Sequence, residues 1–249
     1  MTGETHENRT IFRVTGGDRK SFLENLVTNN LTEGALTYAA LLTPQGKYIA
    51  DFFLLDGPDA ILVDVDNDVA PALAQKLTMY KLRADVKIEE TGLHALRGLG
   101  DPPQGAHHDP RHPALGWRLY SETAGDPPET DWEALRVEHG VPATGTELTP
   151  DTFILEAGFD RLNGVDFRKG CFVGQEVTAR MKHKTELRKG VVTVAIDGDA
   201  AAGDPITTED GKPAGTLHTR AGDHALAYLR FDRATGPLKA GDARVTWTQ

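Results

Sequence analysis

The stretch "LTYAALLTPQGKYIADFFLLDGPDAILVDV", residues 36–65, sets the tightest limit on what this chain can fold into. Its three apolar runs are broken by "PQG" and by "DGPD", the spacing of an antiparallel meander with tight turns. Ahead of it, "IFRVTGGDRKSFLENLVTNNL" reads as a short strand, a turn at Gly16-Gly17 and a helix. Asp18 is the expected N-cap, and Phe22, Leu23, Leu26 and Val27 fall on one helical face. After the meander a helix is expected from about Val69 to Met79, with Leu73, Leu77 and Tyr80 at core spacing. "ADVKIEE" and "LHALRGLG" follow as short strands, so the fold class is α+β.

Residues 101–131 are rich in proline and poor in apolar side chains apart from the strand "LGWRLY", which suggests a subdomain boundary there. "TDWEALRVEHG" is a short helix capped by Thr130 or Asp131 and stopped by Gly140. From Gly190 the texture changes to short alternating strands broken by Gly, Pro and Asp, the pattern of a small all-β module. The expected division is therefore 1–189 and 190–249.

Charge and cysteine usage narrow the function. With 27 Lys and Arg against 37 Asp and Glu, the net charge of −10 argues against broad nucleic-acid binding and against adsorption to an anionic membrane. No apolar run approaches the roughly 18 residues of a membrane span, and "MTGETHENRT" lacks the features of a secretory signal. A single cysteine, Cys171, forms no internal disulfide and cannot supply the four thiolates of an ordinary iron–sulfur site, so a reducing compartment is expected, the bacterial cytoplasm or an organelle matrix if a presequence has been lost. "AHHDPRH" at 106–112 holds plausible ligand types but lies in a proline-rich loop; it reads as adventitious metal capture, and no metal site is assigned.

Cys171 lies within "FRKGCFVGQEVTARMKHK", residues 167–184. Between 168 and 189 seven basic and two acidic residues give a local +5, which suits either a solvated helix face or an anion site. Lys169 and Cys171 share a face if the backbone is extended, while Gly170 and Gly174 permit tight turning. A helix starting just after the cysteine, with a lysine nearby, would favour the thiolate; a packed thiol acting as a small hydrophobe is the other reading.

The element "KGCFVGQEVTARM" resembles the signature of YgfZ-type proteins, folate-binding relatives of the glycine cleavage T-protein (aminomethyltransferase) implicated in iron–sulfur protein maturation. "YAALLTPQGKYIADFFLL", "LVDVDNDVAPALAQKLTMYKLRADVKIEE" and "LRVEHGVPATGTELTP" resemble further segments of that family in order, so the likeness covers most of the chain. It implies a cloverleaf of α+β subdomains around a central folate hole, with a small C-terminal β-barrel. It also implies Cys171 as the reactive thiol, with Lys169 beside it and Gly170, Phe172, Gly174, Gln175 and Glu176 completing the motif. Glu138 of "RVEHG" would accept from the pterin edge; Tyr38 and Asp64 match segments lining the hole; Arg180 and Lys182 would meet the glutamate tail. Of the T-protein's paired aspartates only Asp51 is kept, with Ala50 in the other place, a departure that counts against aminomethyl transfer. The resemblance thus implies a monomeric tetrahydrofolate-binding factor for assembly or repair of iron–sulfur clusters, partnered by a reduced folate and by client or assembly proteins. The alternatives are an aminomethyltransferase or other one-carbon transferase using Asp51 as acid/base, and a non-catalytic folate scaffold with Cys171 buried.

Overall fold

The structure, a computed structural model, describes residues 3–184 and 186–248. Its contacts divide the chain into two compact units, Met1–Thr130 with Phe159–Ala179, and Asp131–Gly158 with Arg180–Gln249.

In chain order the first unit contains β1 (Glu4–Thr5), β2 (Arg9–Thr15), α1 (Arg19–Glu24), β3 (Leu36–Leu42), β4 (Tyr48–Asp56), β5 (Ile61–Asp66), α2 (Ala70–Lys81), β6 (Lys87–Glu90), β7 (His94–Gly98), β8 (His107–His108) and β9 (Trp117–Ser121). The expected meander is present: β3, β4 and β5 pair antiparallel in sequence, and β2 and β6 extend the sheet in the order β3-β4-β5-β2-β6. A second sheet runs β1-β7-β9-β8. Pleating sends alternate side chains to opposite faces of the larger sheet. Ala50, Phe52 and Leu54 of β4 pack with Phe22, Leu23, Leu73 and Leu77 of α1 and α2 in one apolar core. Asp51 and Phe53 lie on the other face with Tyr38 of β3, where they meet polar side chains from β2 and β9. Both faces are covered, so β3 is buried along its whole length and reads as an unbroken apolar run.

Three local details depart from the sequence reading. Helix α1 stops at Glu24, and Leu26 and Val27 reach the core from the following turn. Asp18 precedes α1 but makes no cap bond; its Oδ2 accepts from the Asp85 amide at 2.8 Å instead. Helix α2 runs to Lys81 and ends at Leu82 with φ +44°, a conformation usually left to glycine at a helix end.

The second unit holds α3 (Trp132–Glu138), the end of α4 (Gln175–Lys184), and β10 (Lys189–Asp197), β11 (Pro205–Thr208), β12 (Pro213–Ala221), β13 (His224–Arg230), β14 (Leu238–Ala240) and β15 (Ala243–Thr246). Asp131 Oδ1 accepts from the Ala134 amide at 2.8 Å, so Asp131 is the cap of α3, and Gly140 follows at φ +66°. The six strands close in the order β10-β13-β12-β11-β14-β15. Closure works because β10 pairs first with β13 and then, from Ala195, with β15, leaving no open edge. Val194, Ile196, Ile206, Leu217, Leu229 and Val245 are among the side chains that fill its interior.

The sequence reading groups residues 131–158 with the N-terminal region, whereas the contacts group them with the barrel. The reason is a buried polar tie. Glu147 accepts from the Thr219 amide and hydroxyl of β12, while Arg136 of α3 donates to Glu147 at 3.1 Å and to Thr219 Oγ1 at 2.6 Å.

Candidate functional site

The cysteine segment is a loop held at both ends. Asp166 fixes its start: its amide donates to Thr28 O at 3.1 Å and its Oδ2 accepts from Asn30 Nδ2 at 2.9 Å. Lys169 is the second anchor. Its side chain is buried, and its ammonium donates to the carbonyl oxygens of Glu24 (2.6 Å), Val27 (2.6 Å) and Asn29 (3.2 Å). These carbonyls lie at and beyond the end of α1, where a helix leaves its last acceptors without partners. All three ammonium donors are thereby spent. The sequence placed Lys169 on one face with the thiol; the structure turns it inward, to seal the α1–β3 connection. Burial outweighs the pull of Glu24 and Asp166 and brings its pKa from 10.5 to about 8.

Beyond the cysteine, Phe172 is buried with its ring centroid 5.5 Å from the Lys169 ammonium, and Gly174 immediately precedes α4. Gly174 has φ +83°, and a Cβ there would come 2.7 Å from Thr43 O in the β3–β4 turn. The backbones approach too closely for any other residue. Gly170 is different: a Cβ would meet nothing within 4 Å, and its φ is not in the left-handed region. Gln175 Nε2 donates back to Gly170 O at 3.2 Å, closing the loop. Cys171 sits exposed between these anchors, which is not what the buried-thiol scaffold reading requires. Glu176 is exposed in the first turn of α4, and Arg180 and Lys182 are exposed further along it. Lys184 is the last residue of α4, and its side chain lies outside the described residues.

A second constellation fills the face of the large sheet opposite α1 and α2. Asp51 accepts from Tyr48 Oη at 2.7 Å and from Tyr38 Oη at 2.9 Å. Asp64 accepts from Arg9 Nε, from Arg118 Nη1 at 3.1 Å and from Tyr120 Oη at 3.1 Å. Asp109 takes a bidentate pair from Arg111 (3.0 and 2.8 Å) and a further bond from Arg118 Nε at 3.2 Å. The guanidinium carbons of Arg118, Arg111 and Arg9 lie 3.9, 4.7 and 5.7 Å from the centroid of the Phe53 ring. Burial pushes the Tyr38 and Tyr120 phenols well above their ordinary range, reinforced by Asp51 and Asp64 respectively. Burial raises the Asp109 carboxyl, but Arg111 and then Arg118 overcome this and bring it to about 2. His6, against Arg118, is held well below its usual pKa by burial and by the surrounding guanidiniums.

The structure therefore unites Tyr38, Asp51 and Asp64 in one cluster. Tyr38 and Asp64 are 0% exposed, so they support the cluster rather than line a surface; Asp51 keeps 6%. Glu138 lies in the other unit, exposed at the end of α3. Sequence reasoning missed Arg9, Asp109, Arg111, Arg118, Tyr48 and Tyr120. The available signal was an arginine or aspartate inside each of several otherwise apolar strands, since a buried charge demands a partner. The "AHHDPRH" segment contributes Asp109 and Arg111 to this network, and among the described residues no three His, Cys, Asp or Glu side chains converge at metal-binding distance.

Comparison with known proteins gives three findings. Residues 188–249 match the CAF17 C-terminal beta-barrel domain. The mouse protein named iron–sulfur cluster assembly factor IBA57, mitochondrial, is 31% identical over 280 residues, which cover 93% of this chain and 78% of that protein. Its human counterpart is 28% identical, and a Neurospora crassa homologue is 31% identical over 82% of this chain, which spans only 55% of that longer protein. Among solved structures, the glycine cleavage system aminomethyltransferase T from Bartonella henselae superposes with a TM-score of 0.78 over 98% of this chain and 85% of that one, at 14% identity. The fold is thus that of the glycine cleavage T-protein, with a closed six-stranded C-terminal barrel.

Proposed function

Because the chain belongs to the IBA57 family of iron–sulfur cluster assembly factors, we propose that it assembles or repairs the clusters of client enzymes through Cys171, with a reduced folate bound by the same chain. The observation that carries this reading is the mounting of the thiol. Cys171 is exposed on a loop whose flanks are fixed by buried Lys169 and sterically obligatory Gly174. Such a mount suits a group that must meet another protein's cluster in a defined orientation. One thiolate supplies one ligand to iron, so the cluster, as cargo, is shared with a client, an assembly protein or glutathione.

The polar cluster offers a donor set that fits a reduced folate. Asp51, buried with 6% of its surface open, would accept from the N–H groups of an aminopterin edge, and the Arg111 side chain is 14% exposed nearby. When bound, the folate would supply one-carbon or hydride chemistry. The family likeness separately assigns Glu138 of "RVEHG" as a pterin acceptor and Arg180 and Lys182, exposed on α4, as candidates for the glutamate tail. This finer likeness, to YgfZ-type folate-binding proteins, rests on "KGCFVGQE". A reducing compartment, cytoplasm or organelle matrix, is part of this proposal; the relatives are named as mitochondrial proteins.

The test is a pair of variants. Cys171→Ala is expected to leave tetrahydrofolate affinity unchanged by calorimetry while abolishing maturation of client iron–sulfur enzymes. Glu138→Gln is expected to weaken tetrahydrofolate binding at least about tenfold, the loss of a charge-assisted acceptor. Normal client activity with Cys171→Ala would sink the role of the thiol.

A further inference from the structure

The C-terminal end of α2 exposes apolar surface that the fold itself does not use. Among the described residues the exposed large hydrophobic side chains are Met79 (60%), Leu82 (88%) and Leu99 (46%), and the first two lie within one turn of each other. Leu82 is also held at φ +44° and ψ −103°, a costly backbone for any residue but glycine. An exposed leucine gains nothing from burial there, and glycine would relieve the backbone. Stability alone does not account for it.

The flanking charge is equally one-sided. Between Asp68 and Asp85 the chain carries Lys76, Lys81 and Arg83 and no acidic residue, within a protein of net charge −10. None of these three cations has an ion-pair partner among the described residues. The acid that follows, Asp85, has an oxygen accepting from the Gly17 amide at 2.9 Å. Two exposed apolar side chains flanked along the chain by unpaired cations suit an interface centre with a charged rim.

We infer that the end of α2, with Met79 and Leu82 at its centre and Lys76, Lys81 and Arg83 around them, is a docking surface for a folded protein partner that presents an acidic rim around a shallow apolar pocket. A bilayer is the poorer fit, since two apolar side chains give little insertion and the net charge opposes an anionic surface. The inference does not depend on the role of Cys171 or on folate.

The experiment places the photocrosslinking amino acid p-benzoylphenylalanine at position 82 in living cells, with position 209, exposed on the barrel, as control. The expected result is a protein captured at 82 and not at 209, joined through a peptide of net negative charge. Capture is lost with Lys81→Glu plus Arg83→Glu. With the captured protein purified, Leu82→Gly is expected to weaken binding at least about tenfold while melting no lower than the parent, because it removes the forced φ. Equal capture at both positions, or none, overturns the inference, as does a lower melting temperature for Leu82→Gly. So does binding to phosphatidylglycerol vesicles that the charge reversals abolish, or a concentration-dependent dimer that Leu82→Gly abolishes.

Discussion

Replacing Lys169 by methionine separates the two things this residue does, filling space and sealing carbonyls. Methionine keeps the volume but removes the donors to Glu24, Val27 and Asn29. Hydrogen bonds to a charged group contribute about 1.5–3 kcal/mol each. Against them stands the burial of the ammonium, expressed as the fall of its pKa from 10.5 to about 8, a cost of about 3 kcal/mol. The difference leaves Lys169→Met less stable by about 1.5–6 kcal/mol at neutral pH, a fall in melting temperature of about 3–24 °C for a chain of this size. The pH dependence has a definite sign. Below pH 8 both folded and unfolded chains hold the lysine proton, so the burial cost is fully present. Above pH 8 the folded chain releases it first, and stability rises with pH. Near pH 10 the trend reverses, because Tyr38 and Tyr120 keep their protons when folded and lose them when unfolded. Urea titrations from pH 7 to 9 should therefore show rising stability in the parent and a flatter profile in Lys169→Met. Hydrogen exchange should report opening of residues 24–30 in the variant. A melting temperature within about 1 °C of the parent, with unchanged exchange there, would refute the claim that Lys169 holds the loop.

Two further expectations follow from single contacts. Gly174→Ala should destabilise by about 2–4 kcal/mol in urea, since it forces a left-handed alanine against Thr43 O, whereas Gly170→Ala should change stability by less than about 0.5 kcal/mol. The depressed Asp109 carboxyl contributes stability that is complete above its unfolded pKa of 3.8 and lost as pH falls towards 2; Asp109→Asn should remove that acid transition from a circular-dichroism titration, and its persistence would assign it elsewhere.

Much of the architecture was legible because it depends on local pattern. The meander, α3 with its Asp131 cap and Gly140 stop, and the change to barrel strands near 190 each rest on turn chemistry or capping that sequence displays directly. Legibility ended where partners are distant in sequence. Arg118 and Asp64 are 54 residues apart, and Lys169 lies 145 residues from the Glu24 carbonyl it satisfies. No periodicity reports such pairs. A lysine two positions from a cysteine suggested a shared face, but unsatisfied carbonyls at a helix end competed for the ammonium and won. The contacts that tie segment 131–158 to the barrel are hidden for the same reason, since Glu147 finds Thr219 across 72 residues.

The question of transferase chemistry also changes once side chains are placed. The sequence argument against it was the alanine at 50 beside Asp51. Neighbours in a strand point to opposite faces. Ala50 lies fully buried in the core against α1 and α2, whereas Asp51 points into the tyrosine and arginine cluster. An aspartate at 50 in this chain would be a carboxylate in an apolar core, costing several kcal/mol rather than assisting Asp51. Its absence therefore does not separate a transferase from an assembly factor. The commitments of Asp51 bear on the question more directly. A general base must take up a proton from the reacting group, yet both oxygens of Asp51 already accept from tyrosine hydroxyls, one of them on a phenol far less acidic than usual. Each of these oxygens keeps a further lone pair, so the two tyrosine bonds orient the carboxylate without closing it to a ligand's N–H. That orientation suits Asp51 to the part of a fixed acceptor, and the exposed thiol of Cys171 lies outside this buried network.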